Sequence, residues 1–182
     1  PAVMDLTAQE EAVSAVAYST GLLVCLGMAR RLHEDELAGA YGVLMHPDDG
    51  PLAALCVASR AGHARGRGDV VTCMFAGKDA RALSGGADSE IVDAARRALL
   101  VWEPRLSGAF APAPEASAVV RIPHAMPTTP PGRLAAIDAY RERAQTRRIV
   151  LAGDCLAWPW SDSAAAAGRW AAGRVQAVID RP

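Results

Sequence analysis

Several motifs that assign proteins to functional classes are missing from this sequence. Its four cysteines form no C-x-x-C pair, so the spacing typical of structural zinc sites and of dithiol redox motifs is absent. The formal net charge of −1 argues against a nucleic-acid-binding surface, which is usually strongly basic. No apolar run approaches the length of a membrane span. The composition is that of a globular chain, and its 182 residues can bury a sizeable core.

Nucleotide-binding fingerprints are missing as well. The glycine-rich segment 62–68 lacks the Gly-Lys-Ser/Thr ending of a P-loop, and no strand–G-x-G-x-x-G–helix unit is present. We interpret segment 62–68 as a solvated connection between two strands. The cysteines and histidines are scattered, and we interpret them as packing or surface residues rather than metal ligands. They are Cys25, Cys56, Cys73, Cys155, His33, His46, His63 and His124.

Apolar runs and turn signals predict a mixed sheet with flanking helices. Thr7 and Glu10 have the spacing of a capping box at the start of the first helix. The strand predicted at 22–28 is expected to be buried on both faces. Arg96 and Arg97 are expected to face outward from the second helix. The predicted strands are 22–28, 41–46, 69–76 and 118–122, the helices 8–17, 89–102 and 131–144, a strand or short helix 52–60, and a linker 105–115.

The stretch 149–172 carries the most specific pattern in the chain. Its apolar run predicts a buried strand at 149–153, and its alanine-rich part predicts a helix at 162–179. In open α/β sheets, ligands bind beyond the carboxyl ends of strands, and the first turn of a helix offers unpaired N–H groups to electron-rich atoms. We therefore expect Asp154, at the end of the strand, to accept hydrogen bonds from ligand hydroxyls.

That stretch resembles the C-terminal flavin-binding segment of the FAD-dependent amine oxidase superfamily, which includes protoporphyrinogen oxidases and carotenoid desaturases. The family pattern runs Ala-Gly-Asp, a loop, Glu-Gly-Ala, Ser-Gly and Ala-Ala. Residues 152–154 and 171–172 match it, whereas Asp162-Ser163-Ala164 and Ala167-Gly168 replace its two middle elements. A weaker similarity covers 119–127 and the following Pro131-Gly132, which resemble the segment that precedes the Gly-Asp strand in this family.

The resemblance implies FAD as the cofactor and hydride transfer to the flavin from a C–N or C–C bond of a small or lipophilic substrate. It implies that Asp154 binds the ribityl hydroxyls of FAD and that the backbone of 161–164 lies beside the pyrimidine edge of the flavin. Trp158 and Trp160 are expected to flank the flavin or the substrate, or else to pack on the helix. The implied cofactor-binding residues are Gly153, Asp154, Ser161, Asp162, Ser163 and Ala164. The sequence identifies no catalytic base.

The implied fold class is α/β in the mixed α+β sense. A mixed-sheet substrate domain is expected over 1–116, and a segment that returns to the FAD-binding domain over 117–182. Since the family begins with the missing dinucleotide fingerprint, we expect this chain to be the C-terminal part of a longer oxidoreductase and to be inactive alone. The N-terminal dinucleotide-binding region and a small-molecule substrate are its expected partners. Unpaired cysteines and a preference for Arg over Lys favour a bacterial, cytoplasmic protein, with peripheral membrane contact as an alternative because several relatives handle lipophilic substrates.

Two other functions remain open from the residues alone. The first is a non-catalytic ligand-binding or scaffold domain that has lost flavin binding. The second is a thiol hydrolase with Cys155 as nucleophile and His124 as base. Segment 153–157 lacks the final glycine of a nucleophile elbow, which disfavours the hydrolase.

Overall fold

Two groups of residues, each packing mainly within itself, make up the chain. The structure, a computed structural model, describes residues 6–63, 66–144, 149–158 and 160–180. One compact unit, here called the sheet unit, is Thr20–Pro123, and the other, here called the helical unit, combines Pro1–Ser19 with His124–Pro182. The predicted boundary at 116–117 differs from this division, because the strand that begins at residue 116 belongs to the sheet unit.

The sheet unit is built on a five-stranded sheet. Its strands are β1 (Gly21–Met28), β2 (Gly42–Leu44), β3 (Leu52–Val57), β4 (Asp69–Phe75) and β5 (Ala116–Ile122). Their order is β2-β3-β4-β1-β5, and every pairing among the described residues is antiparallel. The predicted combination of helices and strands is confirmed, but the sheet is antiparallel where the sequence predicted a mixed one. Residues 64 and 65 of the predicted connection 62–68 lie outside the described residues.

The two faces of the sheet differ in burial. Along β1, Leu22, Val24 and Leu26 are fully buried, while Leu23 and Cys25 on the opposite face are half-buried. The prediction that this strand is buried on both faces is therefore wrong. The reason is that the strand is antiparallel and has core residues packed on one side, a geometry in which alternate side chains separate into a core face and an open face.

Helices cover the buried face of the sheet. They are α2 (Gly77–Leu83), α3 (Asp88–Trp102) and α4 (Ser107–Phe110). The core residues Leu106 and Phe110 are buried, so the segment predicted as a linker over 105–115 is part of the core. Arg96, which was expected to face outward, donates hydrogen bonds to the carbonyl oxygens at the end of α4. Helix α2 was not predicted from the sequence.

The helical unit has its own smaller core. Its helices are α1 (Ala8–Ser14), α5 (Arg133–Arg143) and α6 (Ser161–Ile179). The predicted capping box is confirmed, because the Thr7 N–H donates to Glu10 Oε2 at 2.7 Å and the Glu10 N–H donates to Thr7 Oγ1 at 3.2 Å. The buried core consists of Val13, Ile137, Tyr140, Ala144 and Leu156. None of the helices in the described part of the chain has the length and apolar character needed to cross a membrane.

The predicted strand at 149–153 is not formed. The described residues of the helical unit contain no strand of three or more residues, only an isolated antiparallel bridge between Tyr18 and Pro127. Backbone N–H and C=O groups of an extended segment need a neighbouring strand to form a ladder. Here the Leu151 N–H instead donates to the Tyr140 hydroxyl at 2.7 Å. The helix predicted at 162–179 is confirmed as α6.

Candidate functional site

A glycine-dependent turn places Asp154 at the start of the candidate site. Gly153 has φ = 135°, a value that a residue with a side chain rarely adopts. The chain then enters a short 3₁₀ turn over Asp154–Leu156, with Leu156 buried in the core of the helical unit. Replacing Gly153 with any L-residue would strain this turn and move the carboxylate that follows it.

The Asp154 carboxylate is half-buried and contacts a tyrosine from a distant part of the sequence. The Tyr18 hydroxyl donates to Asp154 Oδ1 at 3.3 Å, and the Tyr18 ring lies edge-on to His124 with 5.7 Å between ring centroids. Burial, followed by the nearby charges of Asp154 and Cys155, raises the pKa of Tyr18 above its ordinary value. Among the described residues, Tyr18 is the one hydrogen-bond partner of this carboxylate, so Oδ2 can accept a further hydrogen bond.

The N-terminus of α6 carries the other predicted cofactor-binding residues. Ser161 and Asp162 are exposed, and Ser163 and Ala164 are half-buried. Trp160 stands at the N-cap position, and its side chain forms no capping hydrogen bond. The N–H groups of 161–163 therefore have no acceptor in the described part of the chain, and the helix dipole makes this end favourable for an electron-rich atom.

A cavity of about 370 Å³ lies between α5, the 154–156 turn and the start of α6. Trp158 and Ser163 line it, together with Asp138 and Arg141 of α5. The other predicted site residues, including Gly153 and Asp154, are not part of its lining. The structure therefore places the Asp154 carboxylate against Tyr18 and places Trp158 and Ser163 at this cavity, while the other predicted residues line neither.

Arg141 is a residue of this cavity that the sequence did not indicate. Its Nη2 donates to the Leu156 carbonyl oxygen at 2.8 Å, and its guanidinium carbon lies 5.4 Å from the centre of the Trp170 ring. Its Nε is buried and has no hydrogen-bond partner among the described residues. From the sequence, Arg141 was only a basic residue near the end of α5 that complements the helix dipole. The cation–π contact with Trp170 depends on how α5 and α6 pack.

Arg133 holds the turn that carries Asp154. It is 8% exposed, and its guanidinium donates to the carbonyl oxygens of Ala12 at 3.0 Å, Cys155 at 2.8 Å and Val13. These acceptors belong to the end of α1 and to the 154–156 turn. The sequence carries no signal for this role of Arg133, because the acceptors are backbone groups 22 or more residues away along the chain.

The geometry gives no support to the thiol hydrolase. His124, its expected base, packs against Tyr18, and no hydrogen bond or ion pair between His124 and Cys155 occurs among the described residues. In the same part of the chain, no three His, Cys, Asp or Glu side chains converge to hold a metal ion.

Solved structures share this fold. A reduced UDP-galactopyranose mutase matches with a TM-score of 0.62 at 16% sequence identity, over 84% of this chain and 32% of that protein. A candidate protoporphyrinogen oxidase from Exiguobacterium sp. 255-15 matches with a TM-score of 0.62 at 16% identity, over 90% of this chain and 36% of that protein. No protein-family model and no curated protein sequence matches. At this identity the likeness concerns the fold, and the chain spans about a third of the length of these two proteins.

Proposed function

We propose that this chain is the C-terminal part of a FAD-dependent oxidoreductase related to the amine oxidase superfamily. In this proposal the helical unit contributes the end of the flavin site, and the sheet unit is the substrate domain. The observation that carries it is the agreement between two independent likenesses. The last 30 or so residues resemble the flavin-binding segment of a superfamily that includes protoporphyrinogen oxidases, and one structure with the same fold over 90% of the chain bears that enzyme name.

The residues around Asp154 fit a flavin. Among the described residues no donor contacts Asp154 Oδ2, which can therefore accept a hydrogen bond from a ribityl hydroxyl, while the Tyr18 hydroxyl donates to the other carboxylate oxygen. The uncapped first turn of α6 presents N–H groups of the kind that the electron-rich pyrimidine edge of a flavin requires. We assign these roles to Gly153, Asp154 and the backbone of 161–164, with Trp158 and Trp160 beside the flavin or the substrate.

The apolar character of the open face of the sheet favours a lipophilic substrate. The strand registers place a continuous set of side chains on this face, and none of them is charged. Leu44 is 87% exposed and Met74 is 44% exposed. Contiguous exposed apolar surface of this kind is typical of ligand-binding and interaction sites. The set is Leu23, Cys25, Leu44, Ala54, Cys56, Val70, Thr72, Met74, Ala116, Ala118, Val120 and Ile122.

A bound FAD would supply the acceptor for a hydride from the substrate, and the residues of the chain would orient the reactants and exclude water. The residues described here would act by binding and positioning. Asp154 would fix the ribityl chain, Arg133 would keep the 154–156 turn in place, and the open face would hold the apolar part of the substrate. Among the described residues we assign no side chain the role of acid or base.

The proposal is tested on the full-length gene product. The coding sequence before residue 1 is read first, and an in-frame strand–G-x-G-x-x-G–helix unit is expected there. The purified full-length protein is then expected to show flavin absorbance with close to one FAD per chain. Asp154→Ala is expected to lower the FAD content at least severalfold, while Asp48→Ala, an exposed carboxylate of the sheet unit, leaves it unchanged.

A full-length protein without the dinucleotide unit and without bound flavin would contradict the proposal. The hypothesis of a non-catalytic ligand-binding or scaffold domain would then be favoured. Flavin bound equally by the wild type and the Asp154→Ala variant would retain the oxidoreductase but remove Asp154 from the site.

A further inference from the structure

We propose that the sheet unit contains a second ligand site, which binds a small organic cation with an apolar body. The site is a cavity of about 420 Å³ between α2, α3 and the end of β4, here called the α2–α3 cavity. It lies on the helix-covered side of the sheet, because Phe75 of its lining belongs to the buried face of β4. It shares no residue with the proposed flavin site or with the open face, so it does not depend on the proposed function.

A buried carboxylate oxygen indicates what the cavity binds. Asp79 lines the α2–α3 cavity, and its Oδ2 is buried without a hydrogen-bond partner among the described residues. A buried polar atom left unpaired is costly, and the cost is higher when the group is charged. Oδ2 itself is not accessible from the cavity, but a cation that binds to the accessible part of the same carboxylate offsets this cost through its charge. A charged donor does so best, since a hydrogen bond between ions is about twice as strong as one between neutral groups.

The charges around Asp79 favour a cation. Asp49 also lines the cavity, and its carboxylate accepts a hydrogen bond from the His46 N–H. Arg97 is the basic residue of the lining, but it is exposed and forms no ion pair with Asp79 in the described structure. Two carboxylates against one exposed guanidinium give the cavity a net negative lining at neutral pH.

The rest of the lining requires an apolar body. Its volume and composition are those of ligand pockets, which are mostly apolar with a few polar groups that fix orientation. An alkylammonium of moderate length meets both demands, because its head can reach Asp79 and its chain can cover the apolar side chains. These are Phe75, Ala82, Leu83, Ala98 and Val101.

The test compares three probes of equal length with different heads: hexylammonium, hexanol and hexanoate. Binding to the full-length protein is measured by equilibrium dialysis and by saturation-transfer NMR. Hexylammonium is expected to bind at least about tenfold more tightly than the other two, as one charge-assisted hydrogen bond allows. Equal affinity for hexylammonium and hexanol would overturn the proposal, and so would preferential binding of hexanoate.

Variants locate the binding. Asp79→Asn keeps the shape of the side chain and is expected to weaken hexylammonium binding about tenfold or more. Asp48→Asn removes the same charge from a neighbouring exposed position outside the lining, and it should leave the affinity unchanged. Arg97→Gln should tighten binding, because it removes the cation near the carboxylate.

A further variant keeps Asp79 and changes only the volume of the α2–α3 cavity. Ala82→Leu adds volume to the lining at an exposed position of α2 and is expected to reduce binding of hexylammonium and hexanol alike. Affinity for hexylammonium that stays within about twofold of the wild type in both Asp79→Asn and Ala82→Leu would place the binding elsewhere, including at the proposed flavin site, and would overturn the proposal.

Discussion

At the scale of single residues, the candidate site depends on pairs that are far apart in sequence. Tyr18 and Asp154 are separated by 136 positions and meet through one hydrogen bond. Tyr18 reaches this place because its backbone forms an isolated antiparallel bridge with Pro127, and neighbouring hydrogen bonds join Ser19 to Met126 and Ala125. The chain before β1 is thereby tied to the chain after β5. Any change to either segment is expected to affect the carboxylate.

The Tyr18–Asp154 contact predicts a pKa that depends on Asp154. The pKa of Tyr18 lies above 10.0, first because of burial and then because of the Asp154 charge. Asp154→Asn should lower this pKa but leave the part that burial causes. The measurement is ¹³C NMR of labelled tyrosine, with Tyr18→Phe to assign the signal among the three tyrosines.

The raised pKa of Tyr18 determines how the stability of the protein changes with pH. Because the folded pKa exceeds the unfolded value of 10.0, the contribution of the protonated hydroxyl is intact below pH 10.0 and is lost as the pH rises through the folded pKa. Tyr18→Phe should therefore reduce the alkaline loss of stability. An unchanged Tyr18 pKa in Asp154→Asn would show that the two side chains do not meet.

Arg133 gives a second prediction at this scale. Arg133→Met removes the donors for three carbonyl oxygens and is expected to lower the free energy of unfolding of the helical unit by about 2–4 kcal/mol. Arg143→Met, at an exposed position of the same helix, serves as the control and should cost under about 0.5 kcal/mol. Urea unfolding followed by tryptophan fluorescence reports on this unit, since Trp158, Trp160 and Trp170 lie in it. Equal losses in the two variants would remove the role assigned to Arg133.

At the scale of elements, the sequence was sufficient to predict the helices whose formation depends on residues close together in the chain. The capping box at Thr7 and Glu10, the helix α3 and the long helix α6 follow from residues three to four positions apart. The segment 149–152 has the apolar character of a strand, but a strand also needs a partner, and none lies among the described residues of the helical unit. Helix α2 was missed because its seven residues are too few to show a clear helical period and, unlike the equally short α1, it has no capping side chain at its start.

Arg96 and its neighbour test how α4 is held. Arg96 donates to the carbonyl oxygens of Phe110, Ala111 and Pro112, whereas Arg97 is exposed and makes no such bond. Arg96→Met is expected to destabilise the sheet unit by about 1–3 kcal/mol, and Arg97→Met by less than about 0.5 kcal/mol. Urea unfolding monitored by circular dichroism measures both. A larger loss for Arg97→Met would contradict the assignment.

Gly68 immediately precedes β4, and Gly77, at the start of α2, serves as its control. A Cβ at Gly68 would collide with the carbonyl oxygen of Met28, while a Cβ at Gly77 would meet nothing within 4 Å. Gly68→Ala is therefore expected to cost about 1–3 kcal/mol by overpacking. Gly77→Ala should be neutral or slightly stabilising, because Ala loses less conformational entropy than Gly in a helix. The measurement is the free energy of unfolding of the two variants. Equal values would show that Gly68 does not lie against the Met28 carbonyl oxygen.

At the scale of the whole molecule, the division of the core could not be predicted from the sequence. The chain enters the helical unit, leaves it for the sheet unit at Thr20, and returns at His124. Composition changes little at these points, so nothing local marks them. The division becomes visible in the pairing of β1 with β5 over 21–27 and 116–122. This pairing completes the sheet unit before the chain returns to complete the helical unit.

The two cores predict different behaviour for the two units. Residues 20–123 contain a complete core and a fully paired central strand, so this segment expressed alone is expected to unfold cooperatively and to give a dispersed amide NMR spectrum. Residues 124–180 alone should not fold, because Val13 of their core and the Ala12 and Val13 acceptors of Arg133 lie on α1. A dispersed spectrum from the second segment, or none from the first, would contradict this division.

The strand order has a consequence for biosynthesis. β1 is an interior strand of the sheet, between β4 and the edge strand β5, yet it is the first strand of the sheet to leave the ribosome. Its apolar side chains and both of its hydrogen-bonding edges remain without partners until residues 69–75 and then 116–122 have been translated. During this interval the nascent chain exposes a segment that favours misassociation. Chaperone demand should therefore be highest in the interval between the synthesis of β1 and that of β5.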